Sequence, residues 1–185
     1  MTIHIVHYFG SLNQPTVERL RDTCLQARQQ GATEIRIHFS SDGGSTSYGF
    51  ALYNFLRSLP IPIVIHNMGT IESTAIFVFL AGTRRIACPH SRFLIHSLHW
   101  GFNAGAVDHA RLREHLASLD NDLERYAQIF IERTAGAPNP IDIRSHLLGQ
   151  EKIITPNEAV SAGMVHEVTD AAVPPDATVW WVSGT

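Results

Sequence analysis

The stretch Ile61-Pro62-Ile63-Val64-Ile65-His66-Asn67-Met68-Gly69-Thr70-Ile71-Glu72-Ser73-Thr74-Ala75-Ile76-Phe77-Val78-Phe79-Leu80-Ala81 decides how the chain is read. Ile61 to His66 is rich in β-branched residues, the mark of a buried strand, and Ala75 to Ala81 is a hydrophobic run of helical character. A Gly-containing turn between them sets Ser73 at a strand-to-helix junction. A short way on, Arg92-Phe93-Leu94-Ile95 reads as another apolar strand, ended by His96. A serine hydroxyl is a poor nucleophile at neutral pH unless a neighbouring base takes its proton, and an imidazole titrating near neutrality suits that task. Ser73 and His96 are therefore the candidate nucleophile and base. Each residue also has a plain alternative role, Ser73 as a helix N-cap and His96 as a hydrogen-bonded strand-end histidine.

Outward from this stretch the chain alternates between two periods. Ile3 to Phe9 reads as a buried strand stopped by Gly10. Pro15 fits the first turn of a helix capped by Asn13 or Gln14, and Val17, Leu20, Cys24 and Ala27 recur at helical spacing until Gly31. Glu34 to Phe39 alternates as a strand does. After Ser40-Ser41-Asp42-Gly43-Gly44-Ser45, a helix puts Tyr48, Leu52, Phe55, Leu56 and Leu59 on one face before Pro60. Strand, helix, strand, helix in this order is the pattern of parallel βαβ units, whose functional loops lie at the carboxyl ends of the strands. Gly43-Gly44 and Ser73 both fall there.

Downstream, Arg85 to Cys88 reads as a strand and Val107 to Arg133 as a long projecting helix striped by Leu112, Leu116, Leu119, Leu123, Tyr126 and Phe130. A lone helix of this length is hard to cover in a small domain, so part of the stripe is either core or a subunit contact. Ile141 to Leu148 and Pro156 to Ala162 read as short helices, Lys152 to Thr155 and Met164 to Val168 as strands. The expected organisation is one α/β domain over residues 1–170 and a tail over 171–185, in which Thr178 to Val182 is a strand-like piece packing on the body or on a neighbour.

Composition narrows the classes. With 185 residues, 44% of them hydrophobic, the chain can bury one good core. A formal net charge of -3 without a Lys/Arg run argues against an electrostatic grip on nucleic acid or an anionic membrane. Cys24 and Cys88 are far apart and read as reduced core cysteines. The eleven histidines fall at no metal-ligand spacing, so no metal is expected. No signal peptide is read at the N-terminus, and the longest apolar run is too short to span a bilayer. The expectation is a cytoplasmic protein.

Four segments together resemble a known family, the ClpP-like serine peptidases of the ClpP/crotonase fold. Ser40-Ser41-Asp42-Gly43-Gly44-Ser45 resembles the family's Asn-Ser-Pro-Gly-Gly-Ser turn, and Met68-Gly69 with Ser73 its Met-Gly-x-x-x-Ser segment. Ser91-Arg92 with Ile95-His96 resembles Ser-Arg-x-x-Ile-His, followed by Gly101-Phe102 at the family's Gly-Phe. Glu158-Ala159-Val160 with Gly163-Met164-Val165 resembles its ending. The matches run in order from about residue 3 to residue 168. The resemblance implies repeated ββα units, acyl-enzyme cleavage of peptides or unfolded proteins in a homo-oligomeric ring, and no cofactor. It implies Ser73 as nucleophile, His96 as base, an oxyanion hole from the N–H groups of Gly43 and Thr74, and a substrate ribbon of Gly44, Gly101 and Phe102.

The departures are specific. An ungapped alignment puts Leu147 where the family has its triad acid, so the third member is Asp142 or Glu151, or else His96 works in a dyad or is held by water. Impaired activity would follow from that loss. Glu72 precedes Ser73 where a small residue is usual, Asp42 replaces Pro, and Trp100 replaces a glycine beside the ribbon. The chain starts near its first core strand, without the family's axial segment, so docking to a Clp-type ATPase is not expected. Two rivals stay open: a non-catalytic ring subunit or scaffold, and a crotonase-type acyl-CoA enzyme.

Overall fold

Isoleucine-rich strands form the centre of the computed structural model, which describes residues 2–102 and 105–183. Met1, Asn103 and Ala104 of the expected body, and Gly184 and Thr185 of the expected tail, lie outside the described residues. Strands β1 (Ile3–Phe9), β2 (Glu34–Ser41) and β3 (Ile63–Glu72) run parallel. Their crossovers are α1 (Gln14–Gln29) and α2 (Thr46–Ser58). The start of α1 is locally determined. Asn13 accepts from the Thr16 N–H, Thr16 Oγ1 accepts from the Asn13 N–H, and Pro15 occupies the first turn, where a missing N–H costs nothing. Ser45 caps α2 in the same manner through the Tyr48 N–H.

Beyond β3 come α3 (Ala75–Leu80), β4 (Arg84–Ala87), β5 (Arg92–Ile95), α4 (His109–Arg133), α5 (Ile143–Leu147), β6 (Lys152–Ile154), α6 (Pro156–Ser161), β7 (Glu167–Val168) and β8 (Thr178–Ser183). The α/β class with parallel units and a long helix is as the sequence indicates. All pairings are parallel except β5 with β6. One apolar cluster includes Val6, Tyr8, Ile37, Phe39, Ile65 and Leu20, with every residue of α3 buried in it. The strand-like piece of the tail is β8, paired with β1 along its length. No helix of the described residues is long and apolar enough to cross a membrane.

One expectation is corrected at the decisive stretch. Met68-Gly69 is not a turn, because β3 continues through it to Glu72. The strand instead changes partner: Val64 to Asn67 pair with β4, and Thr70 to Glu72 pair with β5. Asn67, fully buried, ties this fork by donating from Nδ2 to the Arg92 carbonyl and accepting at Oδ1 from the Gly69 N–H. On the other flank, the register with β2 shifts between Phe39 and Ser41, and Ser40 Oγ fills the gap by bonding both the N–H and the carbonyl of Thr70. A hydroxyl and a carboxamide thus replace ladder bonds that the shift would leave unmade.

The long helix is buried over part of its stripe and exposed over the rest. Tyr126, Ala127 and Phe130 are buried against the body, whereas Leu112 and Leu116 are 48% and 59% exposed. Its buried half is joined to α2 and α3 through rings: Phe50 stacks on Phe77 at 4.5 Å, Tyr126 meets Phe77 edge-on at 5.0 Å, and the Arg125 guanidinium lies 3.6 Å above the Phe50 ring.

Candidate active site

Ser73 stands between the end of β3 and the start of α3, with a φ of 53°. No other non-glycine residue described has a positive φ. A serine in this region costs about 1 to 3 kcal/mol and persists only where its surroundings over-determine it. Here three elements do so. The Ser73 N–H donates to the Leu94 carbonyl of β5 at 3.0 Å, and its carbonyl accepts from the Tyr126 hydroxyl of α4 at 3.0 Å and from the Ile76 N–H at 3.1 Å. Burial pushes the Tyr126 phenol up, so it stays protonated and able to donate. Nothing in the spacing around Tyr126 distinguishes this contact from ordinary core packing.

The glycine turn lies directly against this junction. A Cβ at Gly43 would come within 2.8 Å of Ser73 Cβ and 2.9 Å of the Glu72 carbonyl oxygen, so only glycine fits, and its φ of 87° demands the same. The proposed oxyanion donors need one adjustment. The Gly43 N–H is engaged with Ser41 Oγ at 3.2 Å in a buried bond, whereas the N–H groups of Gly44 and Thr74 make no hydrogen bond among the described residues. Gly44 is solvent-exposed, and its carbonyl accepts from Thr74 Oγ1 at 3.4 Å, which ties the two donor segments together. Gly44 rather than Gly43 has the unengaged donor.

His96 is half-buried just past β5. Its Nδ1 lies 2.8 Å from the Ser97 carbonyl oxygen, and its ring stacks at 6.1 Å on His99. Among the described residues no hydrogen bond joins Ser73 Oγ to His96. Such bonds commonly tighten only when substrate is bound. Of the candidate third members, Asp142 and Glu151 are both exposed and Leu147 is buried in the core. No ion pair joins His96 to a carboxylate among the described residues. Glu72, which stands before Ser73 where a small residue is usual, is paired with Arg92 at 2.5 Å, which offsets its charge. On the ribbon side, Gly101 has open space around it, Phe102 is 52% exposed, and Trp100 stacks on His115 at 4.3 Å.

A mostly parallel α/β sheet with a serine of positive φ at the opening of a buried helix is the arrangement expected of the class of ClpP-like serine peptidases. Comparison with known proteins makes this particular: a family model described as Clp protease matches residues 4–172, and the chain belongs to that family. ATP-dependent Clp protease proteolytic subunit 1 of Mycobacterium leprae is 31% identical over 173 residues, covering 91% of this chain and 84% of that protein. Proteolytic subunit 2 of Corynebacterium glutamicum is 28% identical over 153 residues, covering 82% and 73%. Among solved structures, a mutant of ClpP1 from Listeria monocytogenes superposes with a TM-score of 0.76 at 20% identity, covering 91% and 92% of the two chains, and shares the fold. These relatives favour a serine endopeptidase over the scaffold and acyl-CoA readings.

Proposed function

We propose that Ser73 is the nucleophile and His96 the general base of this peptidase, working on peptides or unfolded protein inside a ring of identical subunits. The observation that carries the reading is the left-handed backbone of Ser73, clamped from three elements at the opening of α3. Strain that persists against 1 to 3 kcal/mol marks a position kept for chemistry. His96 Nε2 takes the proton as Ser73 Oγ attacks the peptide carbonyl, then delivers it to the leaving amine, and water repeats the sequence to release the acyl group. The N–H group of Thr74 and one from the Gly43-Gly44 turn are the donors for the developing oxyanion. Removing one such donor typically costs about 3 to 4 kcal/mol. Gly44, Gly101 and Phe102 line the ribbon on which an extended substrate lies. Exposed Leu112 and Leu116 on α4 supply apolar surface for subunit contact.

A fluorophosphonate tests the assignment. The expected result is one covalent adduct at Ser73, absent from Ser73→Ala. Folded wild-type protein that remains unlabelled, or carries its adduct elsewhere, overturns it.

A further inference from the structure

Arg21, Arg36, Arg84, Arg92, Arg125 and Arg144 each meet a carboxylate. Arg85 and Arg133, which come together where three helices end, do not. Arg85 is 3% exposed and Arg133 is half-buried, and among the described residues no carboxylate oxygen lies within 4.0 Å of either guanidinium. Main-chain carbonyls hold them instead. Arg85 Nε donates to the Met164 carbonyl at 2.7 Å, and its Nη2 donates to those of Gly163 and Arg133 at 3.0 and 3.1 Å. Arg133 donates from Nε to Leu80 and from Nη2 to Gly82, at 2.8 and 3.0 Å. These carbonyls close α3, α4 and α6. The negative end of a long helix amounts to about half an elementary charge, and a short helix such as α3 or α6 offers less, so two full positive charges stay partly uncompensated. Burial, with Arg133 and Arg57 nearby, pushes Arg85 down to about 10, and it remains charged at neutral pH.

Unused donors gather at the same place. Arg85 and Arg133 line a cavity of about 360 Å³ together with Ala135, Gly136, Gly163 and His166. Nη1 of each arginine makes no hydrogen bond among the described residues, and neither atom is sealed from solvent. The N–H groups of Ala135 and Gly136 are likewise unbonded among the described residues. Successive free amides at a turn, here with Gly136 at a φ of 81°, form the kind of main-chain concavity in which anions sit. His166 accepts the Arg85 N–H at Nδ1, 2.9 Å away, so its neutral ring carries the proton on Nε2 as a further donor. Glu132, the neighbouring acid, is exposed and forms an ion pair with neither arginine.

We propose that this cavity binds a phosphate-class oxyanion, free or as the phosphoryl group of a small metabolite, held by Arg85 and Arg133 with the Ala135 and Gly136 amides. A guanidinium presents paired donors that match phosphate oxygens, and a phosphoryl group brings close to two negative charges where a carboxylate brings one. None of the lining residues belongs to the Ser73 and His96 site, so the proposal is independent of that assignment.

The probe is inorganic phosphate, titrated into the full chain by calorimetry and by thermal melting at constant ionic strength, with glycerol 3-phosphate and acetate in parallel. Holding ionic strength fixed removes general screening from the comparison. Wild type is expected to bind phosphate one to one, to bind acetate more weakly, and to melt about 3 to 6 °C higher at roughly ten times the dissociation constant. The tighter ligand of phosphate and glycerol 3-phosphate identifies the source of the anion. Arg133→Gln, which keeps an amide donor for the carbonyls at the end of α3, is expected to weaken binding about tenfold or more, the effect of losing a hydrogen bond to a charged group. Ala135→Asp sets a carboxylate on the exposed rim, where it competes for the arginines, and is expected to abolish the phosphate response in a folded protein. That variant decides the matter if Arg133→Gln does not fold. Absence of saturable binding to wild type, equal binding to Ala135→Asp, or acetate bound as tightly as phosphate overturns the site.

Discussion

The two sides of the candidate site are fastened in opposite ways. Ser73 is gripped through its N–H by β5, through its carbonyl by α4, and against its Cβ by the Gly43 turn. His96 hangs from a carbonyl one residue along the chain. The position of Ser73 is thus set by tertiary structure and that of His96 by local chain geometry. Substitutions remote in sequence should disturb the first and spare the second.

The largest effect expected is on chemistry: Ser73→Ala reduces peptide hydrolysis about 10⁴-fold or more, measured with a fluorogenic peptide, while leaving the fold intact. Hydrolysis persisting near the wild-type rate would falsify the idea that the rigid side carries the reaction. Next comes Gly43→Ala, which drives a methyl group into Ser73 and Glu72 at a φ of 87°. A loss of roughly 2 to 5 kcal/mol in denaturant unfolding is expected. Gly101→Ala on the open side should stay within about 0.5 kcal/mol, since nothing among the described residues lies within 4 Å of the added carbon. Equal costs at the two glycines would erase the contrast.

Acid probes the sheet that both sides share. His38 is buried in a row with His7 and His66, and desolvation, aided by those neighbours and Arg36, pushes it down to about 4. The unfolded chain takes up a proton near 6.5 that the folded one refuses, so stability is fully present above about pH 6.5 and falls as pH drops towards 4. The loss is on the order of 3 kcal/mol for this residue. Urea titrations at pH 7 and pH 4.5 read it, and His38→Phe should flatten the difference. A smaller loss than that at His38 belongs to Tyr126→Phe, which leaves the Ser73 carbonyl one partner short and costs about 1 to 2 kcal/mol. Fluorophosphonate labelling should slow with it, and an unchanged rate would show that β5 and α3 suffice to hold the serine.

Much of this architecture could be read from the chain, for physical reasons that differ by element. Helices α1 and α2 announce themselves by period and by caps at Asn13 and Ser45, which act within one turn. The extension of β3 through Gly69 is hidden, because glycine favours a turn unless distant groups supply bonds, and here Asn67 and Ser40 do. Ser73 was legible from its motif, but its positive φ comes from contacts fifty residues away. Gly43 and Gly44 are indistinguishable by residue type, and it is their surroundings that separate them: Gly43 is packed against Ser73 with its N–H on Ser41 Oγ, and Gly44 lies against Leu12.

The pairing of β8 with β1 has a consequence for biogenesis. These strands join the two extremes of the chain, His4 against Thr178 and Phe9 against Ser183. During synthesis β1 can zip onto β2 long before β8 exists, and closing a loop of that length is slow. Until it closes, the far rim of β1 presents unpaired amides, the template on which nascent chains stick to one another. A chain truncated shortly before residue 178 should therefore aggregate, although it contains both Ser73 and His96.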